Sequence, residues 1–144
     1  MPGPLKILAL ALGLAAPSAC QAPDMAQQAL VTGSITYRER IALPPSAIAQ
    51  VLLHDASASD ALSAPIAVWQ KEIGSVPARF ELPYDPARIL DGRDYALSAR
   101  ILDGDRLLFV TDRLFAVLTH GNPDRVDMVL RRVGERERSS SLGK

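Results

Sequence analysis

The chain has 144 residues, 48% hydrophobic and 22% charged, a composition that suits one folded domain with extensions and excludes a wholly disordered polypeptide. Lysine plus arginine and aspartate plus glutamate balance at 16 each, so no strongly basic surface is implied and nucleic acid is not an expected partner. An aromatic content of 5% leaves too few rings for a single-strand stacking platform.

At the amino end, Lys6 precedes the apolar run Ile7-Leu-Ala-Leu-Ala-Leu-Gly-Leu-Ala-Ala16, and Pro17-Ser-Ala-Cys20 follows. A charged start, a short apolar centre and a small-residue exit have the form of a secretory signal over residues 1–19. The run is too short for a permanent bilayer-spanning helix. Cys20 is the sole cysteine, so no internal disulfide can form. It follows Ser18 and Ala19, where a bacterial lipoprotein is cut and acylated, because small residues suit a peptidase that closes around the backbone. Pro17 occupies a position where an aliphatic residue is usual, and the competing reading is an ordinary signal cut nearby that leaves a free thiol. Acylation at Cys20 makes the membrane an expected partner, each buried CH₂ adding about 0.8 kcal/mol. Gln21, in place of an aspartate that would favour the inner membrane, points to the periplasmic side of the outer membrane. The small, polar residues 20–28 read as a tether.

The domain is expected over residues 29–133, where the dominant period is two. From Leu30 to Ile41, the residues Val31, Gly33, Ile35, Tyr37, Glu39 and Ile41 share one face and polar residues the other, which predicts a long half-buried strand. Pro44-Pro45 stops it. Further strands are predicted at Ala47–Asp55, Ile66–Ile73 and Ala78–Tyr84, with a polar loop over Ser57–Pro65. Asp85 and Pro86 favour one helical turn over Asp85–Leu90. Tyr95 to Ile101 and Leu107 to Val110 flank Asp103-Gly104, a signature of a tight hairpin. Leu114–Thr119 continues the apolar stretch, Gly121-Asn122-Pro123 breaks it, and Val126–Val133 is the last strand. Short strands with turns every 8–12 residues predict an all-β fold, a two-sheet antiparallel β-sandwich of immunoglobulin or transthyretin type. Residues 134–144, charged and then rich in serine and glycine, read as a disordered tail.

The inventory for catalysis is thin. His54 and His120 have no closely spaced partners of metal-ligand type, so no metal or other cofactor is expected. There is no G-x-S-x-G elbow and no glycine-rich phosphate loop. Among Glu39, Glu72, Glu81 and Asp85, nothing in the spacing selects an acid–base pair. Glu39 falls on an inward position of the first strand. It is either a buried carboxylate at a binding site or a residue turned outward at a strand end, and the cost of burying an unpaired carboxylate favours the second. Trp69, the only tryptophan, is expected in the core. Arg131-Arg132 straddles both faces of the last strand, and edge protection is the expected role.

Several stretches carry a family likeness. They are Glu39-Arg-Ile-Ala-Leu-Pro-Pro45 with Ala47-Ile-Ala-Gln-Val51, Val76-Pro-Ala-Arg-Phe-Glu-Leu-Pro-Tyr-Asp85, Tyr95-Ala-Leu-Ser-Ala-Arg100, Gly104–Thr111 and Val117-Leu-Thr119. Together they resemble the YbaY-like lipoprotein domain, grouped with YscW, a lipoprotein pilotin of type III secretion. The resemblance spans nearly all of the expected domain. It implies a β-sandwich on a lipid tether and, by analogy with pilotins, an envelope client of secretin type; it supplies no catalytic residues. Two functions follow. The first is an outer-membrane lipoprotein that binds or chaperones a protein without catalysing a reaction. The alternative is a periplasmic small-molecule or cell-wall-binding domain with weak hydrolytic activity.

Overall fold

A computed structural model of the chain describes residues 28–58 and 64–134, together with the isolated Gly3 and Gly13. The expected signal segment, Cys20, the tether up to Gln27, the middle of the 57–65 loop and the tail beyond Gly134 lie outside the described residues. Eight strands follow in order: β1 (Ala29–Tyr37), β2 (Ala47–Asp55), β3 (Ala67–Glu72), β4 (Ala78–Tyr84), β5 (Tyr95–Asp103), β6 (Arg106–Thr111), β7 (Phe115–Val117) and β8 (Arg125–Arg132). The all-β expectation holds. The only helical element among the described residues is a 3₁₀ turn, Pro86–Arg88, whose Asp85 cap accepts a bond from the Ala87 amide.

Alternation builds the strands. In β4, Ala78, Phe80 and Leu82 are buried while Arg79, Glu81 and Pro83 face water. In β2, Ala47, Ala49, Val51 and Leu53 point inward. With Val31, Ile35, Leu97, Ile101, Met128 and Leu130 they form one core, each large side chain contributing about 1.5–3 kcal/mol by its burial.

The pairing differs from the expected sandwich. All eight strands belong to one sheet, ordered β3-β2-β5-β6-β8-β1-β4, with β7 joined separately to β5. The sheet curls until its end strands meet, where Trp69 of β3 tilts against Phe80 of β4 with ring centroids 6.1 Å apart. The result is nearly a closed barrel around the core. Nor is the pairing wholly antiparallel: β1 runs parallel to β8, with Thr32 opposite Arg125 and Tyr37 opposite Leu130. Alternation specifies which face of a strand is buried and says nothing about which strand lies beside it, hence both departures.

At the β5–β6 hairpin, Asp103 pairs with Arg106, so Gly104 and Asp105 are the two turn residues. Gly104 has φ 58°, which glycine adopts without steric cost. Further along, Ile101 faces Phe109 and Leu102 faces Leu107, so Leu108 is an extra residue in a β-bulge.

Candidate functional site

The site begins where β1 stops. The Tyr37 ring stacks on Phe109 of β6, with centroids 4.1 Å apart and planes 9° from parallel. Its hydroxyl donates to the Ile41 carbonyl at 2.6 Å. Partial burial, followed by the charge of Glu39, holds the Tyr37 phenol above its ordinary pKa, so it remains a donor. The stack and the bond pin the segment after β1, leaving one hollow at Arg38 and Glu39 and a second at residues 41–44.

The first hollow is a break in the sheet. Strand β6 lies beside β8 only where Phe109, Val110 and Thr111 face Arg132, Arg131 and Leu130. After Thr111 the chain bends away through residues 112–114 and joins β5 as β7. From Arg125 to Val129, β8 is therefore paired with β1 alone. The opening is a cleft of about 430 Å³ lined by Arg38, Glu39, Asp112, Arg113, Phe115, Asp127, Val129, Leu130 and Arg131. The Arg113 guanidinium stands 4.8 Å over the Phe115 ring, and Asp127 accepts a bond from the Ser34 hydroxyl at 2.8 Å. Arg38, Asp112 and Arg113 make no ion pair among the described residues. One oxygen of Glu39 accepts from the Arg132 amide at 3.4 Å. The other is buried and receives no donor.

The second hollow, about 160 Å³, is apolar. Ile41, Ala42, Leu43 and Pro44 form one wall and Leu108 and Phe109 another, with Asp103, Arg106 and Arg132 also lining it. Leu108 belongs there because the bulge re-aims its side chain, while its carbonyl accepts a bond from the Val133 amide at 3.0 Å.

The residues weighed in the sequence fall in different places. Glu39 lies past the end of β1, which is shorter than expected, and is half-buried at the cleft. Trp69 is half-buried on an end strand and packs against the core. Arg131 and Arg132 do face opposite hollows, yet edge protection is ruled out because β8 is interior, between β6 and β1. His54 Nε2 is 3.0 Å from the Ser98 hydroxyl, in a shallow hollow with Leu52, Arg100 and Val110. Partial burial, then the Arg100 charge, lowers the His54 pKa below its ordinary value. His120 Nε2 lies 3.2 Å from Asp94 Oδ1. Glu39, Glu72, Glu81 and Asp85 sit on separate segments, and only Glu39 lines either hollow. Sequence reasoning missed Arg38, Arg113 and Phe115. Their one signal was the polar Asp112-Arg113 interrupting an apolar stretch, a mark of the sheet's break.

Comparison with known proteins places this architecture. Residues 26–130 match the family model of YscW, described as a type III secretion system lipoprotein chaperone. An uncharacterized lipoprotein of Escherichia coli K12, YbaY, is 37% identical over 115 residues. That alignment takes in 78% of this chain and 60% of YbaY, so the chain spans less than two thirds of that relative. Among solved structures, an alternative pilotin from the type II secretion system of Vibrio cholerae superposes with a TM-score of 0.71 at 38% identity. The match covers 75% of this chain and 99% of that one. The chain belongs to the YscW family of lipoprotein chaperones.

Proposed function

We propose that the chain is a non-catalytic, lipid-anchored chaperone of the bacterial envelope, which holds a secretin-type client at the outer membrane. The observation that carries the reading is the match, at 38% identity, to the solved chain of a pilotin over 99% of that chain. The cleft beside β8 and the apolar hollow at residues 41–44 supply neighbouring polar and apolar contact surfaces, the combination a protein interface uses. Cys20, acylated after removal of residues 1–19, is the anchor, and residues 20–28 are the tether between lipid and barrel.

Two measurements test this. In chemically crosslinked envelopes the full chain is expected to recover a secretin-type protein in stoichiometric amount; recovery of no stoichiometric protein counts against the reading. Palmitate labelling is expected in the wild type and lost in Cys20→Ala, with release of the protein from membranes, whereas unchanged labelling removes the anchor from the account. The cleft at Glu39 also favours a second reading, a cell-wall-fragment site. Saturable binding of muropeptides with no protein client would select it.

A further inference from the structure

Charged side chains that share a surface cleft ordinarily pair with one another or point to water. Arg38 and Arg113 line the cleft beside β8 and are exposed to water there; neither is ion-paired among the described residues, although Glu39, Asp112 and Asp127 share the lining. Arg113 is held over the Phe115 ring instead, a cation–π contact that pairs none of its N–H donors with an acceptor. Glu39 keeps one carboxylate oxygen buried with no donor, which is unfavourable until a donor reaches it. Glu39 itself lines the cleft. Beside these groups β8 from Arg125 to Val129 is hydrogen-bonded to β1 alone, with β7 close by across the cleft, and Val129 is exposed.

An occupant that answers these groups presents an anion to two guanidinium groups, an N–H to Glu39 and aliphatic surface to Val129, and leaves the exposed Asp112 in water. Phosphate offers the anion without the amide. A polypeptide carrying aspartate or glutamate among aliphatic residues offers all three from adjacent atoms. Resting on the chaperone reading above, we infer that the client is gripped in this cleft through an acidic residue of an extended, otherwise apolar segment. Its carboxylate is taken by Arg38 and Arg113, and its backbone amide donates to Glu39. The exposed Val129 receives the neighbouring aliphatic residues.

The test titrates the full chain, purified in detergent, with a fluorescein-labelled heptapeptide alternating valine and aspartate and blocked at both ends. Saturable binding is expected, weakened about tenfold by Arg38→Gln and about tenfold by Arg113→Gln. The same peptide with asparagine for aspartate is expected to bind about tenfold or more weakly. Arg113→Lys, which keeps the charge and loses the planar fork, falls between wild type and Arg113→Gln. Arg79→Gln, on the exposed face of β4, leaves binding unchanged, and the thermal midpoints of all four variants stay at the wild-type value. Absence of saturable binding overturns the inference. So does equal affinity for the aspartate and asparagine peptides, or displacement by inorganic phosphate at equimolar concentration. If crosslinked envelopes yield the client at wild-type level from the Arg38→Gln, Arg113→Gln double variant, the inference fails and the chaperone reading stands. If wild type yields no client, the chaperone reading falls and takes the inference with it.

Discussion

Gly33 lies opposite Phe80 of β4 on one side and Val126 of β8 on the other. A Cβ added there would fall onto the Val126 carbonyl and press on the Phe80 ring, so the close approach of β8 to β1 requires the missing side chain. Gly33→Ala is expected to lower stability by about 3 kcal/mol, read from urea denaturation, because the displaced atoms belong to backbone and to a packed core. His54 and Asp55 each link stability to pH. The folded state lowers the His54 pKa below 6.5, so it favours the neutral ring. The stability linked to it is intact above that value and is lost as pH falls through the lower, folded pKa. Asp55 follows in a more acidic window, since Arg93, at 2.6 Å, depresses its pKa below 3.8. The thermal midpoint is therefore expected to drop on acidification from pH 7.5 to 5. His54→Gln should flatten that segment of the curve and leave the loss below pH 4 in place.

Strand boundaries were most legible where the chemistry alternates without interruption. Residues Ala47–Asp55 and Ala78–Tyr84 are strands with the bounds their patterns predict. In β1 the pattern ran on through Glu39 and Ile41 after the pairing had ended at Tyr37, because a turn can keep parity by chance. Nothing in a period of two marks a strand that changes partners. β5 is shared, its Tyr95–Leu97 part taken by β7 and its Arg100–Asp103 part by β6, and the cleft exists because of that division. Hence Glu39 was recognised from its parity, while the arginines that share its cleft were not. The join between β3 and β4 can be tested through its own chromophore. Phe80 is buried against Trp69, the sole tryptophan, so Phe80→Ala should cost about 3–5 kcal/mol. It should also shift the Trp69 emission to the red in the native state; an unshifted spectrum would mean that the two sheet ends do not depend on each other.

At the scale of the molecule, composition and patterning sufficed for an all-β domain with one core, and two packed sheets were the natural guess from many short strands. A single curled sheet satisfies the same inward and outward pattern, which is why the sequence could not separate them. The family likeness read from residues such as Val76–Asp85 spans β4 and its flanks, and the relatives agree with it. The pairing order makes a further demand on β8. It bears Met128 and Leu130 in the core and is the bridge between β6 and β1. A chain ending after Pro123 is expected to lose cooperative thermal unfolding altogether, instead of melting a few degrees lower. The reason lies in the parallel pair: the first strand of the domain waits for the last before its own second neighbour exists. Long-range closures of this kind form late. A polypeptide fed head-first through a narrow conduit would thus keep β1 short of its second neighbour, and would latch only once its final strand had come through.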